Sequence, residues 1–350
     1  MGTHRLEGQT LPTTGATTKD ELMHYYTEMA VMRRMEILSD MLYKKRDIRG
    51  FCHLYDGQEA VSMGMEAGMT REDCLITAYR CHTQAYMRGD TTYQIFAEMM
   101  AKKTGSSLGK GGSMHYYSSE NNFYGGNGIV GAQIPVGTGL AFALKYKNKP
   151  NFAVAMYGDG AANQGQIAEA ANIAGLWDLP MIYFCENNGY GMGTSVERSS
   201  HSTEFFKKGD KIPGIRIDGQ NVLMVRETMK WAGKFVIENG PLFIEASTYR
   251  YHGHSMSDPG VSYRDKSEVM EVRNTRDPLE LCKKMLLEKK WATEEELKAI
   301  EKTIRKRLDE EVTQARKDPF PTKDDLYTHI GSTKEHYIRG VEYHLSQDYR

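Results

Sequence analysis

Two short apolar runs flanking one helical segment constrain this chain more than any other feature. Phe152–Tyr157 runs into Gly158-Asp159-Gly160, and Pro180–Cys185 runs into Glu186-Asn187-Asn188-Gly189. Between them, Ala161–Leu176 has helical character. Short continuous apolar runs bounded by turn residues read as strands buried on both faces. Ile215–Ile217 and Leu242–Ala246 are further strand candidates, with helical character over Met224–Ile237 between them. Parallel strands need a crossover, usually a helix, where antiparallel ones need only a tight turn. The alternation therefore predicts an α/β fold, a mostly parallel sheet covered by helices.

The ends of the first two runs carry chemistry. Gly158-Asp159-Gly160 stands where a strand gives way to a helix, and helix N-termini hold phosphate through free N–H groups. A dinucleotide site wants G-x-G-x-x-G, and here the third glycine, Gly165, comes too late. Asp159 also sets a carboxylate against any bound phosphate. That repulsion is costly unless a cation lies between the two. Mg²⁺ takes oxygens in octahedral array and shares them between protein and phosphate. A helix over Ala161–Leu176 is about 24 Å long, and the returning strand spans roughly 20–23 Å. The chain is thus expected back at the edge it left, with Asn187 and Asn188 beside Asp159. A main-chain oxygen in Gly189-Tyr190-Gly191 can add a third ligand. Gly-Asp-Gly alone is a weak signal. Joined to Asn-Asn about 28 residues on, across one helix and one strand, it is specific. A lookalike P-loop, Gly105–Gly111, has one residue too few between its glycines and no Ser or Thr after Lys110. The glycine-rich stretch Gly105–Gly139 reads as loops approaching something closely.

The formal net charge is −1, which gives no basic surplus for nucleic acid. No apolar run approaches the roughly 20 residues of a membrane helix. The five cysteines, Cys52, Cys74, Cys81, Cys185 and Cys282, form no CxxC pair, so free thiols are expected. Residues 1–18 are expected to form a polar N-terminal arm, 19–290 the cofactor-binding domain and 291–350 a helical extension. In that extension Thr293 and Glu296 suit a capping box. Leu297, Ile300, Ile304, Leu308 and Val312 then make an amphipathic stripe.

With these residues in view, GDGAANQGQ (Gly158–Gln166) and ENNGYGMGTSVER (Glu186–Arg198) resemble the thiamine diphosphate motif of 2-oxo acid dehydrogenase alpha subunits. Arg49–Ala60, Ile76–Arg80, Gly109–Gln133 and Tyr249–Arg264 are similar to the pyruvate-using, mitochondrial branch of that family. The resemblance implies a thiamine-diphosphate-binding fold and an oxidoreductase that decarboxylates pyruvate and passes the acyl group to a lipoyl acceptor. The branched-chain 2-oxo acid enzymes are the alternative. It implies a beta subunit in an α₂β₂ heterotetramer, a lipoyl domain of a dihydrolipoamide acetyltransferase, and regulation by a kinase and a phosphatase. It also implies a mitochondrial matrix location, with the transit peptide removed.

Residue by residue, the resemblance implies that Asp159, Asn188 and the carbonyl of Tyr190 hold Mg²⁺. Tyr79, Arg80, Gly128, Val130, Gly158, Gly160, Ala161 and His254 are then expected to contact the cofactor. His53 and His254 are the expected catalytic histidines, His53 near the reacting carbon and His254 near the diphosphate. Histidine suits both proton transfer and stabilisation of developing negative charge. His252 and His254 have the spacing of a metal pair, without an evident third ligand. Tyr249–Arg264 reads as an active-site loop that orders on cofactor binding. Ser255 is the main phosphorylation site implied, with Ser262 and Ser195 secondary. His82-Thr83 and the loop His115–Phe123 depart from the family pattern.

Overall fold

The computed structural model describes residues 1–13 and 15–329. The rest of the expected C-terminal extension, 330–350, lies outside them. The described strands are β1 (Gly2–His4), β2 (Cys74–Ala78), β3 (Phe123–Asn127), β4 (Ala153–Gly158), β5 (Met181–Asn187), β6 (Tyr190–Gly191), β7 (Thr194–Ser195), β8 (Gly214–Asp218) and β9 (Leu242–Ser247). The helices are α1 (Lys19–Lys44), α2 (Glu59–Ala67), α3 (His82–Met87), α4 (Thr92–Met99), α5 (Gln133–Tyr146), α6 (Gln166–Leu176), α7 (Val196–Ser199), α8 (Val222–Asn239), α9 (Lys266–Arg276), α10 (Pro278–Glu288) and α11 (Glu294–Lys317).

Among the described residues, seven strands form one sheet in the order β1-β8-β9-β5-β4-β2-β3. Every neighbouring pair in it is parallel except β1 with β8. Side chains alternate across a strand, and the sequence uses both faces. Val154, Met156, Ile182, Phe184 and Ile244 join one buried cluster with Val61, Val225 and Met229 of α2 and α8. Ala155, Tyr157, Tyr183, Cys185 and Phe243 join another with Ile134, Ile167 and Ala170 of α5 and α6. This is why the runs read as continuously apolar. Burying each large aliphatic side chain contributes roughly 1.5–3 kcal/mol.

The Asp159–Asn188 neighbourhood needs a correction in its reason. The helix after Gly158-Asp159-Gly160 does not begin at Ala161. A 3-10 turn covers Ala161–Asn163, and α6 starts at Gln166 after its N-cap Gly165. The α-helix is therefore 11 residues, about 16 Å, and the expected match of helix and strand lengths fails. No α-helical N-terminus opens at Asp159. The two segments meet because β4 pairs with β5, placing Gly158 opposite Glu186.

The N-terminal arm is docked. Gly2–His4 adds the antiparallel edge strand, and Leu6 is buried. At the other end, Thr293 and Glu296 form the expected capping box. Leu297, Ile304, Leu308 and Val312 are buried, and α11 packs on α1 and α4.

Candidate active site

Five parallel strands deliver their C-terminal ends to one edge of the sheet, where ligands of open α/β sheets bind. Tyr79 and Arg80 follow β2, Gly128 and Val130 follow β3, and Asp159–Ala161 follow β4. Asn188 and Tyr190 follow β5, and Tyr249–Arg264 follows β9. Topology thus gathers segments that the sequence spreads over nearly 200 positions.

Asp159 is only 2% exposed. Its Oδ1 accepts the Asn188 backbone N–H at 3.3 Å, and its Oδ2 has no partner. Asn188 donates through Nδ2 to Gln58 Oε1 at 3.1 Å, and its Oδ1 has no partner either. The β6–β7 hairpin that carries Tyr190 closes against them. A Cβ on Gly160 would stand 3.1 Å from Gly191 Cα, so a side chain there would push the two backbones apart by a few tenths of an ångström. Burial pushes the Asp159 carboxyl up to about 6. Two buried, unpaired hard oxygens are a costly arrangement for a protein alone. They suit a divalent cation, and an added backbone carbonyl fits the same donor set. The residues present therefore fit a cation-bound diphosphate.

His53, Tyr79 and His254 form an aromatic cluster on the same edge. The His53 ring lies 4.3 Å from that of Tyr79 and 5.2 Å from that of His254. Burial, with the Arg80 charge, lowers His53 to about 2 and His254 to about 4. Both are neutral imidazoles at physiological pH, and His53 Nδ1 is buried without a partner. Arg80 donates to Leu54 O at 2.6 Å and to His254 O at 2.8 Å. Its guanidinium thereby clamps two loops. Val130 is exposed, and its carbonyl meets the Gln164 amide at 3.5 Å. This contact joins the Gly128–Val130 loop to the segment after Asp159.

The Tyr249–Arg264 loop is cross-tied by its own charges. Asp258 accepts from His254 N at 2.6 Å, Gly260 N at 2.9 Å and Tyr263 Oη at 2.6 Å. Arg264 donates to the carbonyls of Arg250 and Tyr251 at 2.7 and 2.9 Å. Ser255 is buried, its hydroxyl 2.9 Å from that of Ser257. Ser262 is exposed, and Ser195 pairs with Tyr190 in the hairpin. His252 turns its Nδ1 to Asp56 at 2.8 Å, and that contact raises its pKa despite burial. Its ring is an ion-pair partner of Asp56. His82, which precedes Thr83, is wholly buried between Glu36 and Ser113.

Sequence reasoning missed several residues. Glu186, one strand position opposite Gly158, accepts the Tyr55 hydroxyl, and burial pushes it up to about 7. Gln58 lies inside the Arg49–Ala60 stretch, but nothing in the one-dimensional pattern says which side chain it meets. Glu98, wholly buried, is the anion that the glycine-rich stretch surrounds. Its carboxylate accepts the N–H groups of Ser107, Gly109, Gly111 and Gly112 at 2.8, 2.8, 2.7 and 3.1 Å. A Cβ on Gly111 would lie 2.1 Å from His115 O. The P-loop lookalike thus binds an anion after all, and the anion is the chain's own.

The comparisons agree with this geometry. The family described as dehydrogenase E1 component matches residues 27–324. The chain is 52% identical to the mitochondrial pyruvate dehydrogenase E1 component subunit alpha of Pisum sativum, covering 93% of this chain and 80% of the relative. It is 54% identical to the mitochondrial alpha-2 subunit of Arabidopsis thaliana, over 90% and 80% of the two chains. It is 53% identical to the mitochondrial alpha subunit of Sminthopsis macroura, over 97% and 93%.

Proposed function

The chain belongs to the dehydrogenase E1 component family, and from that premise we propose that it is the alpha subunit of an enzyme that decarboxylates pyruvate and passes the acyl group to a lipoyl acceptor. The observation that carries the chemistry is the pair of buried, unpartnered oxygens, Asp159 Oδ2 and Asn188 Oδ1. With the Tyr190 carbonyl they would hold Mg²⁺, which would neutralise Asp159 against a diphosphate. Gly158, Gly160 and Ala161 would lie beside that cation, with Tyr79, Arg80, Gly128 and Val130 on the rim of the same site. Thiamine diphosphate, when bound, supplies the carbanion chemistry that removes CO₂ from a 2-oxo acid.

His53 and His254 do the protein's part. A neutral imidazole can donate one N–H and accept at the other nitrogen. Held neutral by burial and by Arg80, both can donate an N–H to a developing oxyanion. The relatives' names speak for pyruvate over branched-chain 2-oxo acids, and for a mitochondrial location. An apolar surface supports a subunit partner, a beta chain in an α₂β₂ heterotetramer. Phe142, Tyr146, Leu176 and Trp177 are exposed, with Phe142 packed on both Tyr146 and Trp177. A lipoyl domain of a dihydrolipoamide acetyltransferase would receive the acyl group. A kinase and a phosphatase would act on Ser255 first and on Ser262 and Ser195 second. Burial of Ser255 means that the Tyr249–Arg264 loop must open for modification.

The test is co-expression with a beta subunit, followed by a panel of 2-oxo acids with and without thiamine diphosphate and Mg²⁺. Pyruvate turnover that needs both is expected. Turnover confined to branched-chain acids, or indifferent to both cofactors, overturns the reading.

A further inference from the structure

The cation cradle depends on an amide pointing the right way. A carboxamide carries an oxygen and an NH₂ group, and only the oxygen can face a cation. Left to itself, Asn188 would more favourably turn its NH₂ toward the nearby Asp159 carboxylate and cancel the site. The structure has it the other way round. Asn188 Nδ2 donates to Gln58 Oε1 at 3.1 Å, and Asn188 Oδ1 is left buried and unpaired, while the Asn188 backbone N–H meets Asp159 Oδ1 at 3.3 Å.

We propose that Gln58 is a positioning residue that fixes the Asn188 amide by accepting its NH₂, so that the Asn188 oxygen is presented to the cation. The inference rests on the cation-bound diphosphate reading above. Gln58 can do this because it is itself held. It is 1% exposed and stands at the N-cap of α2, where its side chain caps nothing and is free to face the site. Its backbone N–H bonds to Tyr55 O at 3.1 Å, and its carbonyl takes Val61 N at 2.9 Å. The next residue, Glu59, is wholly buried and accepts the Gly57 N–H through both oxygens. Arg33 grips Glu59 and reaches Asp277 at 3.0 Å, and Tyr251 donates to the same Asp277 oxygen at 2.8 Å. Gln220 ties the Gly57 carbonyl at 3.1 Å. A buried ion network thus sets the turn, the turn sets Gln58, and Gln58 sets a ligand. Partners of metal ligands that act in this way typically change metal affinity by about 10–100-fold when removed.

Three variants separate acceptor, donor and packing roles. Gln58→Met keeps the length and loses the acceptor. Gln58→Leu is a second acceptor-free variant of different shape. Gln58→Glu can only accept. Each is purified with its beta subunit. Calorimetry titrates MgCl₂ at fixed thiamine diphosphate, and melting is followed without either. Wild type should bind thiamine diphosphate only with Mg²⁺. Gln58→Met and Gln58→Leu should weaken Mg²⁺ by about tenfold or more, at a ligand-free melting point close to wild type. Gln58→Glu should bind Mg²⁺ at least as well as wild type. Equal loss in Gln58→Glu would mean that Gln58 works through its NH₂, and the inference fails. Unchanged Mg²⁺ affinity in Gln58→Met overturns it too, as does a loss explained by a lowered ligand-free melting point. Cation-independent thiamine diphosphate binding by wild type would overturn the cation reading and this inference together.

Discussion

Two buried carboxylates, each in a glycine-rich setting, have opposite fates. Glu98 sits in the Gly105–Gly112 loop with four backbone N–H groups on its two oxygens. Asp159 sits in the Gly158–Gly160 turn with one N–H on Oδ1 and nothing on Oδ2. The first anion is fully solvated by the protein, so it organises a loop and asks for no ligand. The second is desolvated without compensation, and burial pushes its carboxyl up. An unpaired buried charge costs free energy in the empty protein and is tolerated where a partner from outside completes it. The comparison therefore separates a structural acid from a ligand-seeking one by counting hydrogen bonds: Glu98 lies on α4, and only the fold brings the glycine-rich loop to it.

The sharpest way to break the comparison is to neutralise each acid. Asp159→Asn should lower cofactor-dependent activity at least about a hundredfold, the scale of a lost charge-assisted contact of about 3 kcal/mol. Its ligand-free melting point should stay the same or rise. Steady-state kinetics and a thermal melt read both, and a melting point that falls with activity would erase the distinction. Glu98→Ala should do the reverse. Four N–H groups lose their acceptor, which should cost about 3 kcal/mol or more in urea unfolding. Thiamine diphosphate affinity of the protein that remains folded should change little. Weakened affinity at unchanged stability would make Glu98 a site residue.

Adding charge tests the same contrast within one loop. Ser255→Glu places a carboxylate at a buried position next to His254, where no solvent relieves it. Overall activity should drop by about tenfold or more, whereas Ser262→Glu, at an exposed position, should stay near wild type. Equal turnover in both variants would refute the electrostatic account. The smallest effect concerns pH. Unfolded histidines take up a proton below about 6.5, while folded His254 holds out to about 4 and His53 to about 2. At these two histidines the folded state binds fewer protons, so their contribution destabilises it as pH drops from 6.5 toward 4, against the opposite contribution of Asp159 and Glu186, whose carboxyls burial raises. His254→Gln should remove its part of that loss, so that stability falls less over this range than in wild type in denaturant titrations at several pH values. A slope that His254→Gln leaves untouched would place the titrating groups elsewhere.

How legible this was depended on the scale of the cause. The alternating runs announced a parallel α/β sheet because strands covered on both faces must be apolar throughout, as Val154–Tyr157 and Ile182–Cys185 are. The stripe Leu297–Val312 and its capping box announced α11 for an equally local reason, the helical repeat itself. Motif spacing paired Asp159 with Asn188, although the length argument behind it failed and strand pairing supplied the true reason. The polar composition of 1–18 concealed an edge strand, because backbone hydrogen bonds to β8 do not need apolar side chains.

What the chain determines by itself is therefore what one element can express: its period, its caps, and the acid or amide at its end. What only the tertiary structure decided is which polar groups find partners. Gln58 and Glu98 are ordinary residues in sequence, and the motif that marks Asn188 does not say which way its amide turns. Their parts were settled by side chains and backbone N–H groups brought together from up to 130 positions apart. Hydrogen bonding reaches only about 3 Å, so satisfaction of a buried group is a property of the packed neighbourhood. No reading of one segment at a time contains it.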